Sequence, residues 1–456
     1  MCFAFWFNDF LKPYASFKNE HNFVWDGAGY YSYLPAFFQN DFTFQSHNYF
    51  QDSFLSISDE GRRYPKYTYG VALLEAPFYL IAYGFSYFYQ LPLHGYTSIF
   101  AGSIRYGCML YVLIGLVWLR RVLLHYFNEW VTALTLFAVF FGTMLYNYTF
   151  IQSEISHAYL FFLFCGFMYF THLWHLEAKK KYIIYLSIIL AIISVVRATE
   201  VFFAIVFIFW EVKSFKDLKS KIFYMFKNYK LFIWIPIIGF LFWLPQFYVW
   251  KKVFNEYFHY SYVGEGFFWF DPQIWNVLFS FRKGWVTYTP LVLLAFFGIL
   301  FMKAQLPISK WVMFFFIGIS VYVYSCWWDW NYGGCFGNRA FCQLIAFLSL
   351  PIAAFINGVL NWQSDIPLKK LCQNLLLCFI FLCVMMNVTQ SYQYQEQRKI
   401  YPYSNSKDIY LASLRRFHYG VGFELLMIKR EHIRREDAWI DGFERDDKLN
   451  YNKWSK

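Results

Sequence analysis

Apolar windows of about 20 residues recur along the chain between residues 97 and 390, separated by short polar segments. A window of that length can cross a hydrocarbon core of about 30 Å as an α-helix. The pattern predicts membrane spans at 97–119, 131–150, 155–176, 182–197, 199–212, 231–250, 285–302, 311–328, 340–361 and 371–390. The expected fold class is an all-α polytopic membrane protein with about 10–11 transmembrane helices.

The segments around these windows suggest four parts. Residues 1–12 are expected to be a truncated or partial first transmembrane helix, and 13–96 a long outer loop. Residues 97–390 form the multi-span domain, and 391–456 a polar tail on the outer side. Residues 67–90 are apolar enough to span, but one more crossing would invert every later loop, so this segment is predicted to be an interfacial amphipathic helix.

Charge and composition support the membrane class and narrow the partners. Hydrophobic residues make up 59% of the chain and charged residues only 15%, against about 25% in soluble domains. The net charge of +11 comes from basic clusters between apolar windows: residues 120–121, 179–181, 213–230, 303 with 310, and 369–370. Such clusters mark cytoplasmic loops. We therefore expect a plasma (inner) membrane protein that does not bind nucleic acid.

Asp26 is the first candidate for chemistry, a lone carboxylate in the aromatic stretch VWDGAGYY at residues 24–31. A carboxylate at a membrane surface can act as a general base toward a hydroxyl or amine. Gly27 and Gly29 would let the backbone turn tightly around a ligand. The alternative is an Asp-Gly turn with no chemical role.

A basic run on the same predicted loop contains Arg62, Arg63 and Lys66. Arginine holds phosphate through its planar fork and lysine as a point charge, so these cations could bind a lipid phosphate. The alternative is ordinary attraction to anionic headgroups. Lys66 is favoured because it opens the predicted interfacial helix beside Pro65.

Two further polar pairs lie on the predicted outer side. Glu154 and His157 are three residues apart at a helix start, so they are expected to share a face and to bind a divalent metal, a phosphate or a sugar. Two ligands alone are a weak metal signal, and capping is the alternative. Arg197 and Glu200 at a hairpin tip are expected either to bind substrate or to pair with each other. Arg105, inside a span, is expected to be structural.

The turn 327–339, WWDWNYGGCFGNR, combines aromatic rings, paired glycines and a terminal Asn338-Arg339. Arg339 could clamp a phosphate at a helix N-terminus, whereas a belt of interfacial tryptophan and tyrosine would account for the aromatics alone. The aromatic loop 260–271 is expected to be such a belt, with an acceptor groove as the alternative. The chain contains no P-loop, GxGxxG, HExxH or GxSxG motif, which gives ATPase, dinucleotide, zinc-protease and serine-hydrolase functions no support.

The order of these motifs resembles that of the GT-C superfamily of membrane glycosyltransferases. It is similar to bacterial relatives of the protein O-mannosyltransferases and the lipid A aminoarabinose transferases. The motifs are WDG with Tyr30 at 25–31, YPKY at 64–67 before Gly70 and Pro77, SEISHA at 153–158, RKG at 282–284 before Thr289-Pro290, and GGCFGNR at 333–339.

The resemblance implies a sugar donor carried on a polyprenyl phosphate, with inverting transfer at the outer membrane face. Asp26 would be the base or position the acceptor, and Lys66 and Arg339 would hold the donor phosphate. Glu154 matches only approximately the place of a second acidic residue in relatives. Expected partners are the lipid-linked donor, membrane lipids and an unidentified acceptor; no cofactor is expected apart from the open question of a divalent metal. The alternatives are a transporter or flippase, and a polymerase or ligase, of lipid-linked glycans.

Overall fold

A computed structural model describes Phe23 and residues 25–39, 42–44, 55–58, 60–262, 265–363, 366–397 and 406–415. The predicted partial helix at 1–12 and residues 416–456 of the predicted tail lie outside the described residues. In the described part the chain is mostly helical, with one antiparallel pair of short strands, β1 (Leu55–Ile57) and β2 (Arg63–Pro65).

The helices are numbered in chain order. They are α1 (Trp25–Tyr31), α2 (Tyr33–Phe38), α3 (Gly70–Phe88), α4 (Ser98–Tyr126), α5 (Glu129–Phe141), α6 (Leu145–Phe150), α7 (Ser156–Glu177), α8 (Lys180–Val196), α9 (Ile205–Phe209), α10 (Phe215–Lys227), α11 (Tyr229–Phe232), α12 (Trp234–Phe254), α13 (Ile274–Phe279), α14 (Trp285–Tyr288), α15 (Val292–Phe301), α16 (Lys310–Cys326), α17 (Ile345–Leu360), α18 (Ile366–Gln397) and α19 (Lys407–Arg415). Two 3₁₀ helices cover Ala198–Ala204 and Arg339–Phe341.

Five helical segments of the described chain are long and apolar enough to cross a membrane: Gly70–Phe88, Ser98–Tyr126, Ser156–Glu177, Tyr229–Phe254 and Ile366–Tyr394. Five further apolar helices are shorter. The fold is therefore compatible with the predicted all-α membrane class. In the described residues, however, five helices rather than about 10–11 are long enough to span a membrane as single helices.

Two predicted spans are interrupted, which lowers the number of helices long enough to cross a membrane. The predicted span 131–150 divides into α5 and α6 at residues 142–144, where the Thr143 hydroxyl accepts a hydrogen bond from the backbone N–H of Leu145. The predicted span 285–302 divides at Pro290, which has no backbone N–H to continue a helix. At the other end, α18 runs to Gln397, so the predicted boundary at residue 390 falls inside a helix.

Side-chain contacts give the helix directions. Tyr111 and Tyr159 form an aromatic pair at 5.8 Å between centroids, and further along both helices Arg121 donates to the hydroxyl of Tyr169, so α4 and α7 run parallel. The Tyr111 hydroxyl also donates to the carbonyl of Leu74, and Ser103 to that of Phe78, so α3 runs antiparallel beside α4. The interfacial orientation expected for α3 stays a prediction, because a helix of this length and composition is equally suited to span.

Helix α7 connects two chemically different ends of the bundle. Its first turn, with Ser156 and His157, lies beside the residues predicted to be functional; we call this the site end. At its last turn, the Nε2 atom of His175 lies 2.7 Å from the ammonium of Lys221. Lys213 donates to the carbonyl of Leu306 at the same level. We call this the basic end.

Close packing of α15 against α17 gives a stability prediction. A Cβ added at Gly298 would overlap the backbone carbonyl of Pro351, whereas one added at Gly318 on α16 would meet open space. Overpacking typically costs about 1–3 kcal/mol, so we expect Gly298→Ala to lower the thermal unfolding temperature in detergent. Gly318→Ala, which only improves helix propensity, is expected to leave that temperature unchanged or raise it. Equal temperatures for the two variants would contradict the packing described here.

Candidate functional site

Asp26 forms an ion pair with Arg339 at the site end of the bundle. The Oδ2 atom of the carboxylate contacts Nη1 of the guanidinium, and each side chain is 19% exposed. Burial by itself raises the pKa of the Asp26 carboxyl, but Arg339, a hydrogen bond with Tyr67 and the nearby Lys66 together hold this pKa below its ordinary value. Asp26 is therefore ionised at neutral pH.

The backbone around Asp26 differs from the expected tight loop. Trp25–Tyr31 is a short helix, so Gly27 and Gly29 do not serve to turn the chain around a ligand, and that prediction is wrong. Gly27 instead permits a close approach of α1 to residue 154, because an added Cβ would overlap Cγ of Glu154. This contact fixes Asp26 relative to the start of α7.

Lys66 lies on the other side of Tyr67 and has its own acidic partner. Its ammonium pairs with Glu265 and lies 4.7 Å from the ring centroid of Tyr262. The hydroxyl of Ser261 donates to the Lys66 carbonyl at 2.6 Å, which ties this segment to the loop that carries Glu265. The loop predicted first to be an aromatic belt thus contributes side chains to the site.

Tyr30 connects the Asp26–Arg339 and Lys66–Glu265 ion pairs through its contact with Tyr67. Its ring stacks on that of Tyr67 with centroids 4.1 Å apart, and its hydroxyl donates to Ser156 at 3.3 Å. Tyr67 in turn is hydrogen-bonded with Asp26 and follows Lys66 in the chain. The predicted residues Asp26, Tyr30 and Lys66 therefore share one continuous set of contacts.

Arg197 approaches this set, and its main charged partner is Glu200, in line with the predicted alternative that the two side chains interact with each other. The buried Glu200 carboxylate accepts hydrogen bonds from Tyr324 at 3.1 Å and from Nε2 of Gln343 at 3.0 Å. Arg197 is half-buried and close enough to Tyr30 to interact with it electrostatically.

Glu154 and His157 both lie near the site, but not on one helical face. Helix α7 begins at Ser156, after Glu154, so the predicted shared face is wrong. Glu154 packs on Gly27 and interacts electrostatically with Arg105, whereas Nδ1 of His157 lies 3.1 Å from Oε1 of Gln343. Over the described ranges no group of three or more His, Cys, Asp or Glu side chains is arranged to hold a metal ion. The divalent metal stays an untested prediction.

Three predicted binding residues do not join the cluster. Arg62 is exposed and donates to the backbone carbonyl of Lys252. Arg63 is exposed on β2, where alternation buries the neighbouring Tyr64 instead. Asn338 is fully buried and its Nδ2 donates to the carbonyl of Trp330 at 3.2 Å, so it stabilises the turn that presents Arg339.

The turn 327–339 is held in place from several sides. Gly333 and Gly337 have φ angles of +65° and +57°, the left-handed conformation that glycine adopts without steric cost. The Tyr148 hydroxyl donates to the carbonyl of Phe336 at 2.8 Å. Lys283, fully buried, donates to the carbonyl of Cys335, and burial lowers the pKa of Lys283 to about 8. These contacts set the position from which Arg339 reaches Asp26.

Sequence reasoning did not select Tyr67, Glu265 or Lys283 as site residues. The sequence around each gave only a weak indication of function. Tyr67 lies in the motif YPKY and Lys283 in the motif RKG, and Glu265 is an acid between two glycines in an aromatic loop. Their importance depends on long-range contacts with Asp26, Lys66 and the turn 327–339, which the local sequence does not encode.

The chain has no significant match to a protein-family model, to a curated protein or to a solved structure.

Proposed function

We propose that the protein is a membrane glycosyltransferase that moves a sugar from a polyprenyl-phosphate donor to an acceptor at the outer face of the plasma membrane. One observation carries the proposal: Asp26 lies in a partly exposed cluster with Lys66, Arg197 and Arg339. A carboxylate that contacts an arginine, with further cations nearby, suits a reaction in which a phosphate is held and a proton is removed.

The arrangement of cations supports an anionic ligand. Lys66, Arg197 and Arg339 come together around Asp26 and Tyr30, with Glu265, Glu200 and Asp26 as their respective acidic partners. In a glycosyl phosphate, breaking the bond between the anomeric carbon and the phosphate oxygen increases the negative charge on the phosphate. Cations placed beforehand at that position stabilise the transition state more than the ground state.

The ion pair between Asp26 and Arg339 suggests how donor binding activates the base. A donor phosphate would compete with the carboxylate for the guanidinium of Arg339, and weakening that pair would raise the basicity of Asp26. The acceptor oxygen or nitrogen would then attack the anomeric carbon and pass its proton to Asp26. The electron pair of the broken bond leaves with the lipid phosphate, and the anomeric configuration inverts.

The test is a transfer assay with purified protein in nanodiscs and radiolabelled polyprenyl-phosphate sugars, offered with membrane-lipid and envelope-protein acceptor fractions. We expect the label to leave the polyprenyl phosphate and to appear as single sugars on one acceptor class. Movement of intact donor across proteoliposomes without bond cleavage would instead establish a transporter or flippase. Long glycan products would establish a polymerase or ligase.

A further inference from the structure

Helix α10, at the basic end, turns its apolar side away from the protein. Phe215 is 81% exposed, Phe223 68% and Phe226 75%, and none of the side chains of the helix is buried. An amphipathic helix on a soluble protein would pack such a stripe against the core. Here the stripe faces away from the helix bundle, toward its surroundings.

A different side of α10 is fixed to the bundle. The Lys221 ammonium donates to the carbonyls of Phe207 at 2.6 Å and Trp210 at 2.8 Å, and Met225, one helical turn further on, packs against the core. Ser214 and Asp217 form a capping box that defines where the helix begins. These contacts set the rotation of the helix, so the outward direction of its phenylalanines follows from its anchoring.

The exposed part of α10 is also strongly basic. Between residues 213 and 230 the chain has six lysines and one acid, Asp217. The Asp217 carboxylate accepts hydrogen bonds from the backbone N–H groups of Lys213 and Ser214, so it is engaged in the cap. Lys216, Lys219 and Lys227 are exposed beside the apolar stripe. A short helix whose exposed phenylalanines have lysines among and beside them has the composition of helices that lie in a membrane interface, where a lysine stem can extend from the apolar stripe to the headgroups.

The position of α10 in the chain identifies what covers this stripe. The candidate span Tyr229–Phe254 begins two residues after the helix ends, and Lys221 contacts His175 near the end of the candidate span Ser156–Glu177. Both neighbours place α10 at the level where spanning helices leave the hydrocarbon core. At that level the surroundings are acyl chains on one side and headgroups on the other, which matches the two exposed faces of the helix.

We infer that α10 is an interfacial helix that binds anionic lipid headgroups through Lys216, Lys219 and Lys227 while Phe215, Phe223 and Phe226 insert among the acyl chains. A lysine near an anionic membrane surface contributes about a fivefold change in binding, so three lysines together give a large dependence on lipid charge. The inference is independent of the reaction at the site end.

Hydrogen exchange of the full-length protein tests this inference. The protein is reconstituted in nanodiscs of phosphatidylcholine alone or with phosphatidylglycerol, and amide exchange is followed over residues 214–227 by mass spectrometry. We expect exchange to be slower with phosphatidylglycerol, by up to about 100-fold if all three lysines contribute fully. Replacing Lys216, Lys219 and Lys227 together with glutamine is expected to remove that difference, and replacing them with arginine is expected to preserve it.

Equal exchange in the two lipid compositions, with no effect of the glutamine variant, would overturn the assignment to anionic headgroups. Fast exchange in both nanodiscs that slows only after a soluble protein is added would also overturn it, in favour of a protein partner. Thermal unfolding of the glutamine variant in detergent, expected to match that of the wild type, excludes loss of folding as the cause of a change.

Discussion

Asp26→Asn is expected to reduce sugar transfer by about 10²–10⁴-fold, the range typical of a general base, while donor binding is retained. The amide has nearly the shape of the carboxylate but cannot take the acceptor proton. The measurement compares initial transfer rates at saturating donor with donor affinity determined separately. A loss of affinity with an unchanged rate would assign Asp26 to binding rather than to proton transfer.

The matched control for this variant is Asp271→Asn. Asp271 is an exposed carboxylate on a loop predicted to lie on the same side of the membrane, and it accepts a hydrogen bond from Gln273 at 3.2 Å. It lies outside the contacts that link Asp26, Lys66 and Arg339. We expect Asp271→Asn to transfer sugar at the wild-type rate, and an equal loss in both variants would contradict a specific role for Asp26.

The pKa of Asp26 also sets the expected pH dependence. The folded-state pKa lies below the ordinary carboxyl value because of Arg339, Tyr67 and Lys66, so the base is fully ionised from neutral pH down to mildly acidic pH. The stability that ionised Asp26 gives the folded protein is fully present above the ordinary carboxyl pKa. It is lost as the pH falls through the lowered pKa of the folded state. The pH profile of kcat/KM, which reports the free enzyme, is therefore expected to show no acid limb from Asp26 above about pH 4.

Arg339→Gln is expected to weaken donor binding by about 30-fold to several thousand-fold, which corresponds to about 2–5 kcal/mol for a desolvated charged partner. The neutral side chain cannot form charge-assisted hydrogen bonds to a phosphate. The measurement is equilibrium binding of the radiolabelled donor to protein in nanodiscs. Arg339→Lys is expected to restore only part of the affinity, because lysine lacks the planar fork of donors.

The control for the arginine is Arg62→Gln. Sequence alone gave Arg62 the same predicted role, but its side chain is exposed and bonds a backbone carbonyl outside the cluster. We expect Arg62→Gln to bind donor like the wild type. An equal loss of affinity in the two variants would show that a general positive surface, rather than Arg339, attracts the donor.

The membrane class and several site residues could be predicted from the sequence for physical reasons. Long apolar windows have few alternatives to membrane helices, so the class followed from composition. Asp26, Lys66, Arg197 and Arg339 could be selected because charged side chains beside apolar spans are costly and need a reason to be there. Because all four were predicted to lie on the outer side of the membrane, they were expected to share one cluster, and the structure brings them together.

The pairings inside the cluster could not be predicted. Asp26 pairs with Arg339 and Lys66 with Glu265, and each pair joins segments far apart in the chain. Arg63 lies on the exposed side of a short strand, a matter of register that a single basic run does not encode. Glu154 and His157 were given one face because the start of α7 was placed too early.

Asp26 is proposed to remove a proton and not merely to be the structural partner of Arg339. The most direct measurement compares Arg339→Gln with the double variant Asp26→Asn, Arg339→Gln, in single-turnover transfer at saturating donor. Neither protein contains the ion pair, so the removal of that pair affects both equally. We predict that Arg339→Gln retains measurable transfer and that the double variant is slower by about 10²-fold or more. Equal rates in the two proteins would contradict the claim and leave Asp26 with a purely structural role.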